Sequence, residues 1–82
     1  MENEKLTLLT ETVGKYLREN GYEKEITPEG LVSDRELLDE VIDAVIALIC
    51  KIGIDENFAP NQHGIILDGC LEMLNSIREE NK

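Results

Sequence analysis

The sequence predicts a small all-α domain, and three observations support this fold class. Apolar residues recur at spacings of three and four along three segments, which is the period of one helical face. Residues that interrupt helices separate these segments, namely Gly21, Pro28, Gly53 and Pro60. A chain of 82 residues suffices for one domain with a thin core. We therefore expect a single domain over 1–82 with helices near 4–20, 33–52 and 60–78, and a short extra helical turn near 27–32.

The first predicted helix has one apolar face and ends at a glycine. The face consists of Leu6, Leu9, Val13, Tyr16 and Leu17. Gly21 follows it and can adopt the left-handed conformation that commonly ends helices. Gly14 lies inside the helix, where glycine costs about 1 kcal/mol relative to alanine unless another backbone packs closely there. In the loop that follows, Thr27 and Pro28 favour a turn or a short helical start.

The second predicted helix carries local signals at both ends. Ser33 and Glu36 form a capping-box pattern, in which both side chains accept hydrogen bonds from free backbone amides. Gly53 follows the last turn, and Ile54 is placed to fold back on Ile49 in a Schellman ending. These signals predict a helix from about Ser33 to residue 52.

The middle of this second helix is apolar around most of its circumference. Between Val41 and Cys50 the only polar residue is Asp43. A helix that is apolar on several faces must be buried on several sides, and two companion helices leave part of it uncovered. We therefore predict a homo-oligomer that associates through Val41, Ile42, Val45, Ile46, Leu48 and Ile49. The alternative is a compact monomer with this helix at its centre.

The third predicted helix contains two glycines that leave its first half open to a second interpretation. Its apolar face consists of Ile66, Cys70, Met73, Leu74 and Ile77. Gly64 and Gly69 make residues 63–69 compatible with an irregular segment or a short strand. No Lys-Ser or Lys-Thr follows them, so close helix packing is a better role for them than phosphate binding. Phe58, in the loop before this helix, is expected to plug the core.

Charge is the strongest compositional feature of the chain. Eighteen Asp and Glu against eight Lys and Arg give a net charge of −10. Phosphate backbones and anionic membranes attract Lys and Arg, so neither nucleic acid nor a membrane surface is an expected partner. The longest nearly apolar run, residues 41–50, is too short to span a bilayer. The first residues resemble no export signal, so we expect a cytoplasmic protein with reduced cysteines.

Groups suited to catalysis or metal binding are few. His63 is the only histidine, and on one helix it lies two turns, about 10.5 Å, from Cys70, whereas a Cys-His pair needs roughly 3 Å. Cys50 is separated from His63 by a loop, which leaves that pair geometrically open. The cysteine spacing matches no zinc motif, and Pro60 and Ile66 replace the Gly and Glu of a calcium loop. We predict neither an enzyme nor a metal or cofactor site.

Acidic residues crowd the first half of the second helix. Acids near a helix N-terminus are favoured by the helix dipole, so the plain interpretation is a solvated face. Like charges four residues apart, such as Glu36 and Glu40, repel by roughly 0.2–0.5 kcal/mol per pair. That cost would be recovered against a basic partner. The predicted partner-binding residues are Glu36, Asp39, Glu40 and Asp43.

The function predicted from these features is a small acidic protein-binding module that inhibits or regulates a basic protein. Inhibitors, antitoxins, immunity proteins and anti-defence proteins are of this kind, and electrostatic complementarity would steer the association. One alternative is a homo-oligomeric structural or assembly adaptor built on the apolar second helix. Another is a small-molecule sensor with a pocket between protomers near His63 and residues 64–69.

Overall fold

A computed structural model describes residues 3–54 and 59–80 of the chain. Within these ranges it contains four helices: α1 (Asn3–Glu19), α2 (Pro28–Ser33), α3 (Arg35–Ile52) and α4 (Gln62–Glu80). Beyond the helices, Ile54 and Pro60 form one isolated antiparallel bridge. The all-α prediction is confirmed, and the short turn expected near 27–32 is a separate fourth helix. The predicted role of Phe58 lies outside the described residues.

Helix α1 ends as its glycine predicts. Gly21 adopts a φ of 91°. The amide of Tyr22 donates to the carbonyl of Leu17 at 2.9 Å, and the amide of Gly21 donates to the carbonyl of Arg18 at 3.3 Å. These two bonds form a Schellman ending, which satisfies carbonyls that the helix itself leaves without a partner.

The predicted ends of α3 are wrong in their details. Asp34 is the N-cap, and its Oδ1 accepts a hydrogen bond from the amide of Leu37 at 3.2 Å. Ser33 is instead the last residue of α2, and its hydroxyl donates to the carbonyl of Glu29 at 2.6 Å. At the other end Gly53 has a right-handed φ of −91°, so the Schellman ending expected there does not form.

The core is a single cluster to which all four helices contribute. Its apolar members are Leu6, Leu9, Val13, Leu17, Leu31, Leu38, Val41, Ile42, Val45, Leu48, Leu67, Cys70, Leu74 and Ile77. Helix α3 packs mainly against α4, and α2 contributes one buried side chain, that of Leu31. Residues 63–69 are helical, which decides between the interpretations left open for that segment.

Two glycines allow the end of α3 to meet the start of α4. A Cβ added to Gly64 would lie 2.9 Å from the carbonyl carbon of Gly53 and closer still to its oxygen. The predicted close-packing role is therefore confirmed for Gly64. At Gly69 an added Cβ would meet no described atom within 4 Å, so no helix of the same chain packs closely there, and approach of a second chain stays a prediction. The position of Gly14 is equally open, so of the two interpretations given for it the weakened helix remains.

Asn61 fastens this junction with three hydrogen bonds. Its amide donates to the carbonyl of Gly53 at 2.9 Å. Its side-chain Nδ2 donates to the carbonyl of Ile52 at 2.7 Å, and its Oδ1 accepts from the amide of Gly64 at 2.9 Å. One side chain thus bonds to the last turn of α3 and caps the first turn of α4.

Replacing Asn61 with alanine should lower the free energy of unfolding by about 1–2 kcal/mol, because both side-chain bonds are lost. Asn61→Ser keeps a short side-chain oxygen that can cap the amide of Gly64 but loses the donor to Ile52, so a smaller loss is expected. Urea unfolding followed by circular dichroism measures both variants. Equal losses would show that the cap on α4 adds nothing.

Candidate functional site

The four acidic residues predicted to bind a partner all lie on the solvent side of α3. We call Glu36, Asp39, Glu40 and Asp43 the acidic surface, and all four are exposed. The opposite side of the same helix carries its buried residues. The helical period that predicted the apolar side therefore places the acids correctly on the outer one.

Two members of the acidic surface are already paired with cations of the chain. Lys24 Nζ lies 2.6 Å from Glu40 Oε2, and Arg78 lies 3.6 Å from Asp39. The hydrogen bond to Glu40 raises the pKa of Lys24. The Tyr22 hydroxyl donates to Glu40 at 3.5 Å, and burial, followed by the negative charge of Glu40, raises the pKa of Tyr22.

The other two members have no such neutralising partner. In the described ranges, neither Glu36 nor Asp43 forms an ion pair or a side-chain hydrogen bond. Both side chains are exposed, so water solvates them in the isolated chain. They are the two members whose full negative charge is available to a partner.

Beside the acidic surface lies a shallow depression of about 350 Å³, which we call the acidic cleft. Four of the side chains that line it are carboxylates, and one is an ammonium. Its lining residues are Lys24, Glu25, Asp34, Glu36, Leu37 and Glu40. The sequence did not place Glu25 here, because the course of the loop between α1 and α2 has no local signal. Asp34 lies among the acids that crowd the start of this helix in the sequence, although the predicted partner-binding residues do not include it.

The residues predicted to mediate self-association mostly lie inside the protomer. Val41, Ile42, Val45 and Leu48 are buried in the chain's own core. Ile49 is partly buried, and only Ile46 is well exposed, at 45%. The chain's own helices thus cover most of the apolar circumference of α3. Self-association stays a prediction, and its contacts would have to come from Ile46 and its exposed neighbours.

The region proposed for a small-molecule sensor contains an ordered side-chain pair. The Tyr16 hydroxyl lies 2.9 Å from Nδ1 of His63, and the two rings meet edge to face with centroids 5.7 Å apart. His63 is exposed at the start of α4. A cleft of about 470 Å³, larger than the acidic cleft, lies between α1 and the loop before α2, and Gly14 forms part of its wall.

The two cysteines have different environments. Cys50 is exposed on α3. Cys70 is buried in the core, and burial raises the pKa of its thiol. The Cys70 side chain therefore favours the neutral thiol, which packs as a small apolar group.

The described residues contain no group of three or more His, Cys, Asp or Glu side chains placed to hold a metal ion, and this includes the acidic cleft. No helix in residues 3–54 or 59–80 combines the length and the apolarity needed to cross a bilayer. Comparisons with protein-family models, curated proteins and solved structures find no match to this chain. The chemistry of the exposed side chains therefore has to indicate the function.

Proposed function

We propose that this chain is a protein-binding module that inhibits or regulates a basic protein by covering part of its surface. The observation that carries the proposal is the acidic cleft, where Glu25, Asp34, Glu36 and Glu40 surround a depression that contains a single ammonium group, that of Lys24. An inhibitor, antitoxin, immunity protein or anti-defence protein would act in this way. The module binds without catalysing a reaction, needs no cofactor, and acts in the cytoplasm.

The cleft and the acidic surface suit Lys and Arg side chains of a partner. The cleft is shallow and is lined mainly by carboxylates, whereas small-molecule pockets are mostly apolar, so it suits the end of a long basic side chain better. Glu40 is already paired with Lys24, so an arriving cation would meet Glu36 first. Asp43 lies two turns beyond Glu36 along α3 and provides a second uncompensated charge.

Electrostatics of this kind act mainly on the rate of association. Each exposed ion pair contributes only about 0–1 kcal/mol to binding. A net charge of −10 with carboxylates gathered on one side nevertheless attracts a basic protein over distances near the Debye length, about 8 Å at physiological salt. Fast, salt-dependent association is therefore the expected signature.

The first experiment is native mass spectrometry of the tagged chain after gentle purification from its own host. We expect a complex with a protein of basic surface, whose association rate is then measured against salt concentration. The double variant Glu36→Gln with Asp43→Asn should associate about tenfold more slowly at low salt and show a flatter salt dependence.

The matched control is Glu4→Gln with Glu72→Gln, which removes the same charge from exposed positions on α1 and α4. If both double variants slow association equally, only net charge matters and the acidic surface is not the binding site. Retention of an acidic or neutral protein that binds equally well at all salt concentrations would contradict the proposed function.

A further inference from the structure

The second half of α3 presents an exposed face that begins at Asp43, the last residue of the acidic surface, and continues beyond it. Asp43, Ala47 and Lys51 follow one another at four-residue spacing and are all exposed. Ile46 and Cys50 are exposed beside them, and Ile46 is one of the large apolar side chains with almost half of its surface in water. An exposed helix face with opposite charges at its two ends can meet a surface of complementary charge.

Intrachain contacts hold the first half of α3 but leave this face open. The pair of Lys24 with Glu40 ties the loop before α2 to α3, and the pair of Arg78 with Asp39 ties the end of α4 to it. The two acids in these pairs, Asp39 and Glu40, precede Asp43 in α3. Beyond them, the face is bordered by a shallow cleft of about 310 Å³ to which Ala47 and Lys51 contribute.

The two ends of this face carry opposite charges, Asp43 and Lys51. Neither Asp43 nor Lys51 forms an ion pair in the part of the chain that the structure describes. They are eight positions apart in the sequence. This is a distance along the helix of about 12 Å, so they cannot pair with each other on one helix. Both side chains are exposed, and each lies about two turns from the opposite charge.

A second copy of the chain can satisfy both charges at once. Ala47 is the midpoint between Asp43 and Lys51, so two α3 helices that cross antiparallel at Ala47 bring each Asp43 beside Lys51 of the second copy. The small side chain of Ala47 lets the helices approach closely at the crossing. This face is thus complementary to itself, as a two-fold interface requires.

We propose that the chain forms a two-fold homodimer through the face from Asp43 to Lys51, with antiparallel α3 helices that cross at Ala47. This interface differs from the one predicted from the sequence, since the core residues of α3 stay inside each protomer. Asp43 belongs to both this face and the acidic surface, whereas Lys51 belongs to neither the acidic surface nor the acidic cleft, so substitutions at Lys51 separate the dimer from the proposed function.

The net charge of −10 on each copy opposes this dimer. Association is therefore measured at physiological salt, where repulsion between distant charges is screened beyond about 8 Å. We expect a reversible dimer whose population rises with protein concentration in sedimentation equilibrium. A chain that stays monomeric up to millimolar concentration under these conditions would overturn the proposal.

Charge reversal tests the pairing directly. Lys51→Glu places two acids opposite each other and Asp43→Lys places two lysines opposite each other, so each should raise the dissociation constant about tenfold or more. The double variant should dimerise like the parent chain. Lys15→Glu on α1 has the same net charge as Lys51→Glu and should dimerise almost normally. Equal effects of the two lysine variants, or no recovery in the double variant, would refute the proposed register.

Cross-linking tests the crossing point. In a Cys50→Ser background, Ala47→Cys should form a disulfide-linked dimer on mild oxidation, because residue 47 faces its own copy across the axis. Ser76→Cys, exposed on α4, should not cross-link at comparable rates. Equal yields would place the contact elsewhere. Since Lys51→Glu keeps every carboxylate of the acidic surface, its binding to a basic partner tells failure of the dimer apart from failure of the proposed function.

Discussion

Replacing Gly64 with alanine should lower the free energy of unfolding by about 1–3 kcal/mol or more, because the added methyl group overlaps backbone atoms. The new Cβ would lie 2.9 Å from the carbonyl carbon of Gly53 and 3.1 Å from its Cα. These atoms cannot rotate away as a side chain can, and Asn61 ties the same carbonyl to the start of α4. The higher helix propensity of alanine, worth about 1 kcal/mol, offsets part of this cost.

Gly69→Ala is the matched control for this prediction. Gly69 lies in the same helix, is exposed, and has open space where its Cβ would be. The same substitution there should raise the free energy of unfolding by about 0.5–1 kcal/mol, since alanine favours the helix. Urea unfolding of both variants measures the difference. If Gly64→Ala proves as stable as Gly69→Ala, the close approach of α3 and α4 at Gly53 is wrong.

Truncating Leu31 to alanine should cost about 2–5 kcal/mol of the free energy of unfolding, because its side chain is completely buried. Leu31 is also the only buried residue of α2, which has six residues. So short a helix is not stable alone, and its packing on the core keeps it formed. Small domains are stable by roughly 5–15 kcal/mol, so this single change removes a large share of the total.

Val32→Ala provides the comparison at the next position. Val32 is 44% exposed on the same short helix, so its truncation should change stability by less than about 0.5 kcal/mol. Thermal unfolding measures both variants, and hydrogen exchange shows whether the amides of α2 lose protection first in Leu31→Ala. Equal stabilities would mean that α2 is not held to the core through Leu31.

The start of α3 and the end of α1 show how far local signals reach. Ser33 and Asp34 both suit an N-cap, and the sequence favours Ser33 through Glu36. In the fold, α2 extends through Ser33 and its hydroxyl donates to Glu29, so the cap passes to Asp34. The end of α1 at Gly21 was predictable because every group that forms it lies within a few residues.

The exposed side of α3 was equally predictable, and its surroundings were not. Helical period alone places Glu36, Asp39, Glu40 and Asp43 together on the outer side. The pairing of Glu40 with Lys24 depends on the path of a loop that lacks regular structure. The contribution of Glu25 to the acidic cleft depends on the same loop, so both appear only in the folded chain.

By itself the sequence determined the helical class, the apolar side of each long helix, the exposed position of the acidic surface and the net charge of −10. These properties follow from composition and from interactions within one or two helical turns. Only the tertiary structure decided that Gly53 meets Gly64 and that Val41 and Val45 are covered by their own chain. The physical reason is that burial depends on which helix faces meet, and those contacts join residues distant in sequence.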